Sequence, residues 1–129
     1  MNYDELLKQI ERAGEFPDPE HARDATDAVL SVLGEHLVGG SPRNLAAQLP
    51  PEIADALPPE GGAQAFDMEQ FDFRVAEREG RRCTPAQAHR HAVAVVTTVL
   101  AAITPGEARK IADQLPSEYR DLLPPDIKS

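Results

Sequence analysis

The sequence predicts an all-α fold of about eight helices, arranged as two pseudo-twofold related four-helix repeats packed into one bundle. Three observations predict it. Apolar residues recur with helical period in both halves, no window shows strand-like alternation of useful length, and the chain repeats itself at a spacing of 66 residues. Gln48-Leu49-Pro50-Pro51-Glu52-Ile53-Ala54-Asp55-Ala56-Leu57-Pro58-Pro59 returns as Gln114-Leu115-Pro116-Ser117-Glu118-Tyr119-Arg120-Asp121-Leu122-Leu123-Pro124-Pro125. The same shift pairs Gly14 with Gly80, Pro19 with Pro85, Ala22 with Ala88, Gly40 with Gly106 and Arg43 with Arg109. Residues 1–129 therefore read as a single domain of two tandem repeats, 2–60 and 67–126, with a linker near 58–66 that holds two glycines and two prolines.

The first helix of the first repeat is expected from Tyr3 to Ala13, with Tyr3, Leu6, Leu7 and Ile10 on one face; Met68, Phe71 and Val75 are the counterparts. Asn2 with Glu5, and Asp67 with Gln70, have the spacing of capping boxes. The shift there is 65 rather than 66, so the loops near Gly14 and Gly80 must absorb one residue, which a positive φ at glycine permits. The second helices open at Asp18-Pro19 and Thr84-Pro85, a capping side chain followed by proline at the first helical position. Ala22, Ala25, Val29, Val32, Leu33 and Leu37 form a stripe in the first copy. The second copy keeps it at Ala88, Ala92, Val95, Val99 and Ile103 and adds Val93, Val96, Leu100 and Ala101, which puts this helix at the centre.

Third helices are expected from Ser41-Pro42 and from Thr104-Pro105, the latter running to Leu115 behind a capping box of Thr104 and Glu107. Short fourth helices, Pro51 to Leu57 and Ser117 to Leu123, end at Pro-Pro, where a ring forbids continuation. Arg43, Gln48, Glu52 and Asp55 recur as Arg109, Gln114, Glu118 and Asp121. Because a lone active site needs no doubling, their expected work is architectural: Gln and Glu bond backbone groups around the Leu-Pro corner, and Arg pairs with a carboxylate of the closing hairpin.

The run Leu45 to Glu52, its counterpart Ile111 to Leu123, and Phe73-Arg74-Val75-Ala76-Glu77-Arg78-Glu79-Gly80 resemble a bacterial family of uncharacterised small proteins, domain of unknown function 2267. The resemblance covers nearly the whole chain. It implies an all-helical fold and a bacterial cytosolic setting, and it brings no activity, substrate or site residue with it.

Composition limits the function classes. The single cysteine excludes a disulfide scaffold, and 41% hydrophobic residues exclude disorder. The longest nearly continuous apolar run, Ala92 to Ile103, is 12 residues broken by Thr97 and Thr98, short of the roughly 18 to 20 that a bilayer needs. No membrane span is expected, and without a signal-like amino terminus the expected address is cytoplasmic. A net charge of −9 argues against nucleic acid as a partner. The charge is uneven, with 12 acids against 4 bases in residues 1–66 and 10 against 9 in residues 67–129.

A local basic segment, Arg74 to His91, offers Arg78, Arg81, Arg82 and His89 as candidate contacts for an anion or an acidic protein partner, while Arg74, Glu77, Arg78 and Glu79 read as a solvated helix face. His89 and His91 stand two apart on one helix and point about 200° away from each other, so they do not readily share an ion, and no metal or cofactor is expected. His91 reads as a partly buried histidine bonded to backbone. Cys83 lies beside Arg81, Arg82 and a helix start, conditions that lower a thiol pKa. No nucleophile elbow or phosphate-binding glycine loop is present, and no catalytic residue is assigned. The expected function is a non-catalytic helical interaction or adaptor module, as monomer or homodimer. The alternatives are a small-molecule binder with an apolar pocket between the repeats, formed by Val29, Leu33, His91, Val95 and Val99, and a thiol- or metal-dependent enzyme.

Overall fold

A computed structural model describes residues 1–127, and among these every regular element is helical. Seven α-helices form: α1 (Tyr3–Ala13), α2 (Pro19–His36), α3 (Ser41–Ala46), α4 (Pro51–Ala54), α5 (Met68–Glu79), α6 (Pro85–Ala102) and α7 (Pro105–Ala112). A 3₁₀ turn, Ser117–Leu122, closes the chain. The fourth elements are thus shorter than expected, one α turn and one 3₁₀ turn, because the Pro-Pro boundaries leave room for little more than i to i+3 bonding.

The caps explain the starts and where two expectations change. Asp67 with Gln70 makes a full capping box, as does Thr84 with Gln87. Asn2 Oδ1 accepts the Glu5 N–H at 2.9 Å, but the Glu5 carboxylate takes the Asn2 side-chain amide instead of its backbone. Thr104 accepts from Glu107 N–H, whereas its own N–H donates to Gln48 Oε1 at 2.8 Å, so that box is half formed.

The bond from Thr104 to Gln48 has a mirror. Val38 N–H donates to Gln114 Oε1 at 2.9 Å, and each pair member stands 66 residues from its equivalent. Residue i of one half thus bonds j of the other, and the reverse. The corner glutamines therefore bond backbone as expected, and Glu118 does so too, accepting the Met68 N–H at 2.7 Å. Arg109 departs from expectation: it reaches the Ile127 carbonyl, not a carboxylate.

The halves interleave. α1 packs on α6 as well as on α2, α5 packs on α2 as well as on α6, and α2 and α6 pack against each other. Ala22, Ala25, Ala88 and Ala92 are fully buried, which lets the long helices approach closely. Val29, Leu33, Val95 and Val99 lie at 0–1% exposure inside this core. Much of the aromatic content gathers in one cluster across the halves: the Tyr119 ring stacks on His36 and meets Phe71 edge-on, and its hydroxyl donates to the Phe66 carbonyl.

The linker is strapped to the bundle rather than loose. Gly61, Gly62, Ala63 and Gln64 each donate a backbone N–H to residues 34–39 at the end of α2. A Cβ built on Gly61 would lie 2.2 Å from the Leu37 carbonyl oxygen, so only glycine fits that approach. Gly61→Ala is expected to destabilise the fold by about 1 to 3 kcal/mol, the usual cost of overpacking. A urea midpoint equal to the parent's would show that the strap contributes nothing.

Candidate functional site

Two matching turns build the site. α1 and α5 each run into glycine and then a turn that reaches the next long helix. Positive φ appears at Gly80 as expected, but in the first copy it falls on Glu15 (φ 52) and not on Gly14. Gly14 is needed for closeness instead, since a Cβ there would meet the Phe16 ring. Arg81, the residue 66 beyond Glu15, is likewise left-handed at φ 57. Between the two turns lies a cleft of about 310 Å³. Three pairs of its lining residues stand 66 apart, Glu15 with Arg81, Pro17 with Cys83 and His21 with Gln87, so both halves contribute the same positions to it.

The floor of the cleft is a His–Glu–His cluster. The Glu79 side chain is completely buried; His91 Nδ1 lies 2.8 Å from its Oε1 and His21 Nε2 lies 3.1 Å from its Oε2. The Phe16 ring packs on both imidazoles, with centroids 5.2 Å from His21 and 4.6 Å from His91. Burial alone would raise the Glu79 pKa, but hydrogen bonds and charge from His91, then His21, outweigh it and hold the carboxyl below its ordinary value. One ligand-capable atom from each of the three residues lies within 4.8 Å of the others.

Local sequence explains the convergence. His21 is the third residue of α2, and its N–H is capped by Asp18 at 2.8 Å. Its equivalent Gln87 turns back to bond the Thr84 N–H, whereas the imidazole of His21 is released toward Glu79. Glu79 ends α5, a position where the helix dipole disfavours a carboxylate. The two imidazoles offset that penalty.

The residues singled out in the sequence distribute differently from expectation. Glu79 does not belong to a solvated face; it is the buried centre of the cluster. His91 bonds that carboxylate rather than backbone. Val29, Leu33, Val95 and Val99 pack in the core, so of the five candidate pocket residues only His91 lines the cleft, and the cleft is polar. Most of the basic segment is occupied within the chain: Arg78 pairs with Glu35, Arg81 with Asp24, and His89 lies between Asp72 (3.0 Å) and Asp121 (3.3 Å). Arg82 and Arg90 have no ion pair among the described residues.

His89 and His91 do not converge on one point; the histidine that meets His91 is His21, which the sequence spacing does not reveal. A signal was present. Where the first copy has the small residues Ala13-Gly14 at the end of its first helix and Ala25 on its second, the second copy has Glu79 and His91, an acid and a base.

Cys83 also reverses its expectation. Burial, and then the Glu79 carboxylate, push its thiol up to about 11, against the smaller opposing pull of Arg90. Alkylation by iodoacetamide at pH 8 is expected to run at least about tenfold slower than for free cysteine, because the thiolate is the nucleophile. Equal rates would contradict this placement of the thiol.

The model of one protein family, described as "Uncharacterized conserved protein (DUF2267)", matches residues 3–122. No curated protein matches the chain. No helix among the described residues is long and apolar enough to cross a membrane.

Proposed function

The chain belongs to the uncharacterized conserved protein family DUF2267, and from the geometry of its cleft we propose that it binds one divalent transition-metal ion through His21, Glu79 and His91. The observation that carries this reading is the convergence of two imidazole nitrogens and a carboxylate at the floor of an open cleft, with one ligand atom from each within 4.8 Å of the others.

The distances fit the chemistry. Two donors each about 2.1 Å from an ion at the tetrahedral angle lie about 3.4 Å from one another. The nitrogen–oxygen separations of 2.8 and 3.1 Å, made to the two different oxygens of Glu79, are within a few tenths of an ångström of that, and with the ligand atoms of all three residues within 4.8 Å of one another the side chains close around the ion by small shifts. Binding requires both imidazoles neutral, with His21 Nε2 and His91 Nδ1 unprotonated and their protons on the other ring nitrogens. Two imidazoles select zinc, iron, cobalt or nickel over magnesium or calcium, which prefer all-oxygen sites. Three protein ligands leave a coordination position open toward the cleft.

Titration of the metal-free protein with zinc at about pH 7.5 is expected to saturate at one equivalent. At free zinc near 100 times Kd the fold should gain about 2.7 kcal/mol by mass action. Magnesium should give neither heat nor a rise in Tm. Absence of zinc binding, or equal binding of magnesium, would refute the reading.

A further inference from the structure

Resting on that metal reading, we propose that the cleft takes a small oxyanion, a carboxylate or phosphate group, with one oxygen on the ion and another on the Arg90 guanidinium. Arg90 precedes the ligand His91 on α6 and lines the same cleft. It has no ion pair among the described residues, whereas Arg74, Arg78 and Arg81 all do. Arg90 is exposed and, unlike Arg82, lines the cleft, so its donors are available to a ligand there. Its planar fork matches two oxygens of a carboxylate or phosphate, with a third point of attachment on the ion.

Charge makes the two ligands depend on each other. Glu15, Glu79 and the Arg90 guanidinium line the cleft, while the charge of Arg81 is taken by Asp24. A divalent ion outweighs the remaining negative charge and leaves the site positive by about one charge, which draws an anion. The cleft, about 310 Å³, has the size of small-ligand sites. Linkage then requires that the anion tighten the metal by the same factor as the metal tightens the anion.

The test uses the full chain, loaded with zinc and verified for zinc content before any anion is added. Inorganic phosphate and acetate are titrated separately by calorimetry into zinc-loaded protein, metal-free protein, and zinc-loaded Arg90→Gln and Arg90→Lys. At least one probe is expected to bind the zinc-loaded parent, and to bind metal-free protein and Arg90→Gln at least tenfold more weakly, with Arg90→Lys between. Zinc affinity of Arg90→Gln without anion should be no weaker than the parent's, since the variant removes a positive charge near the ion. Which probe binds identifies phosphate or carboxylate as the source. If zinc binds but neither anion does, or if Arg90→Gln binds the anion as the parent does, the oxyanion inference fails while the metal reading stands. If zinc itself does not bind in the first step, both fall.

Discussion

Glu79→Gln is expected to weaken zinc binding by more than about 100-fold while leaving the helical content unchanged. Loss of a group that merely orients a metal ligand typically costs about 10- to 100-fold in affinity. On the proposed reading Glu79 is a ligand itself and the sole carboxylate among the three, so its removal should exceed that range. Glutamine keeps the shape and one oxygen acceptor between His21 Nε2 and His91 Nδ1, so the fold should survive. Calorimetric zinc titration of parent and variant, with far-ultraviolet circular dichroism as the control, decides the matter. Zinc affinity within a few-fold of the parent's would place the metal elsewhere.

Phe71→Ala should lower stability by about 3 to 5 kcal/mol, the range for a fully buried phenylalanine. Phe71 is 0% exposed on α5 and meets Tyr119 edge-on at 5.5 Å between centroids. Tyr119 in turn stacks on His36 of α2 and bonds the Phe66 carbonyl, so one cavity would loosen contacts on both sides of the bundle. Glu79 lies two turns further along the same helix. The measurement is the urea midpoint at constant m, and a loss below about 1 kcal/mol would show that the cluster collapses around the gap or never carried the packing.

The fold was legible because its signals are local and doubled. Proline after Asp18 and Thr84, the capping residues, and the Pro-Pro stops each act within one helical turn and occur in both copies. Helix length at the fourth elements was less legible, since one turn between prolines can close as α or 3₁₀ with little difference in pattern. The crossed bonds of Gln48 and Gln114 illustrate the same limit at longer range: the sequence assigns both residues to backbone bonding, but only the packed halves reveal that each caps the other repeat.

The site was mostly illegible, for a physical reason. His21, Glu79 and His91 come from three helices, and residues 21 and 79 are 58 apart, so no spacing rule joins them. Glu79 also hides within a stretch of alternating charge, where Glu77 and Arg78 do face solvent to a greater degree. Helical period places Glu79 with Phe71 and Val75 on the buried face of α5, but an acid there has no visible partner in the sequence, because the imidazoles that cover it come from α2 and α6. The basic segment is visible in the sequence, but the acids that occupy its arginines, Asp24 and Glu35, lie on α2, far away along the chain.

X-ray absorption at the zinc edge of the protein loaded with one equivalent tests the three-ligand centre most directly. The expected spectrum has nitrogen and oxygen neighbours at about 2.0 to 2.2 Å, outer-shell scattering from two imidazoles, and no sulfur shell near 2.3 Å, since Cys83 stays a protonated wall residue. A sulfur neighbour at that distance, or fewer than two imidazoles, would contradict the centre formed by His21, Glu79 and His91.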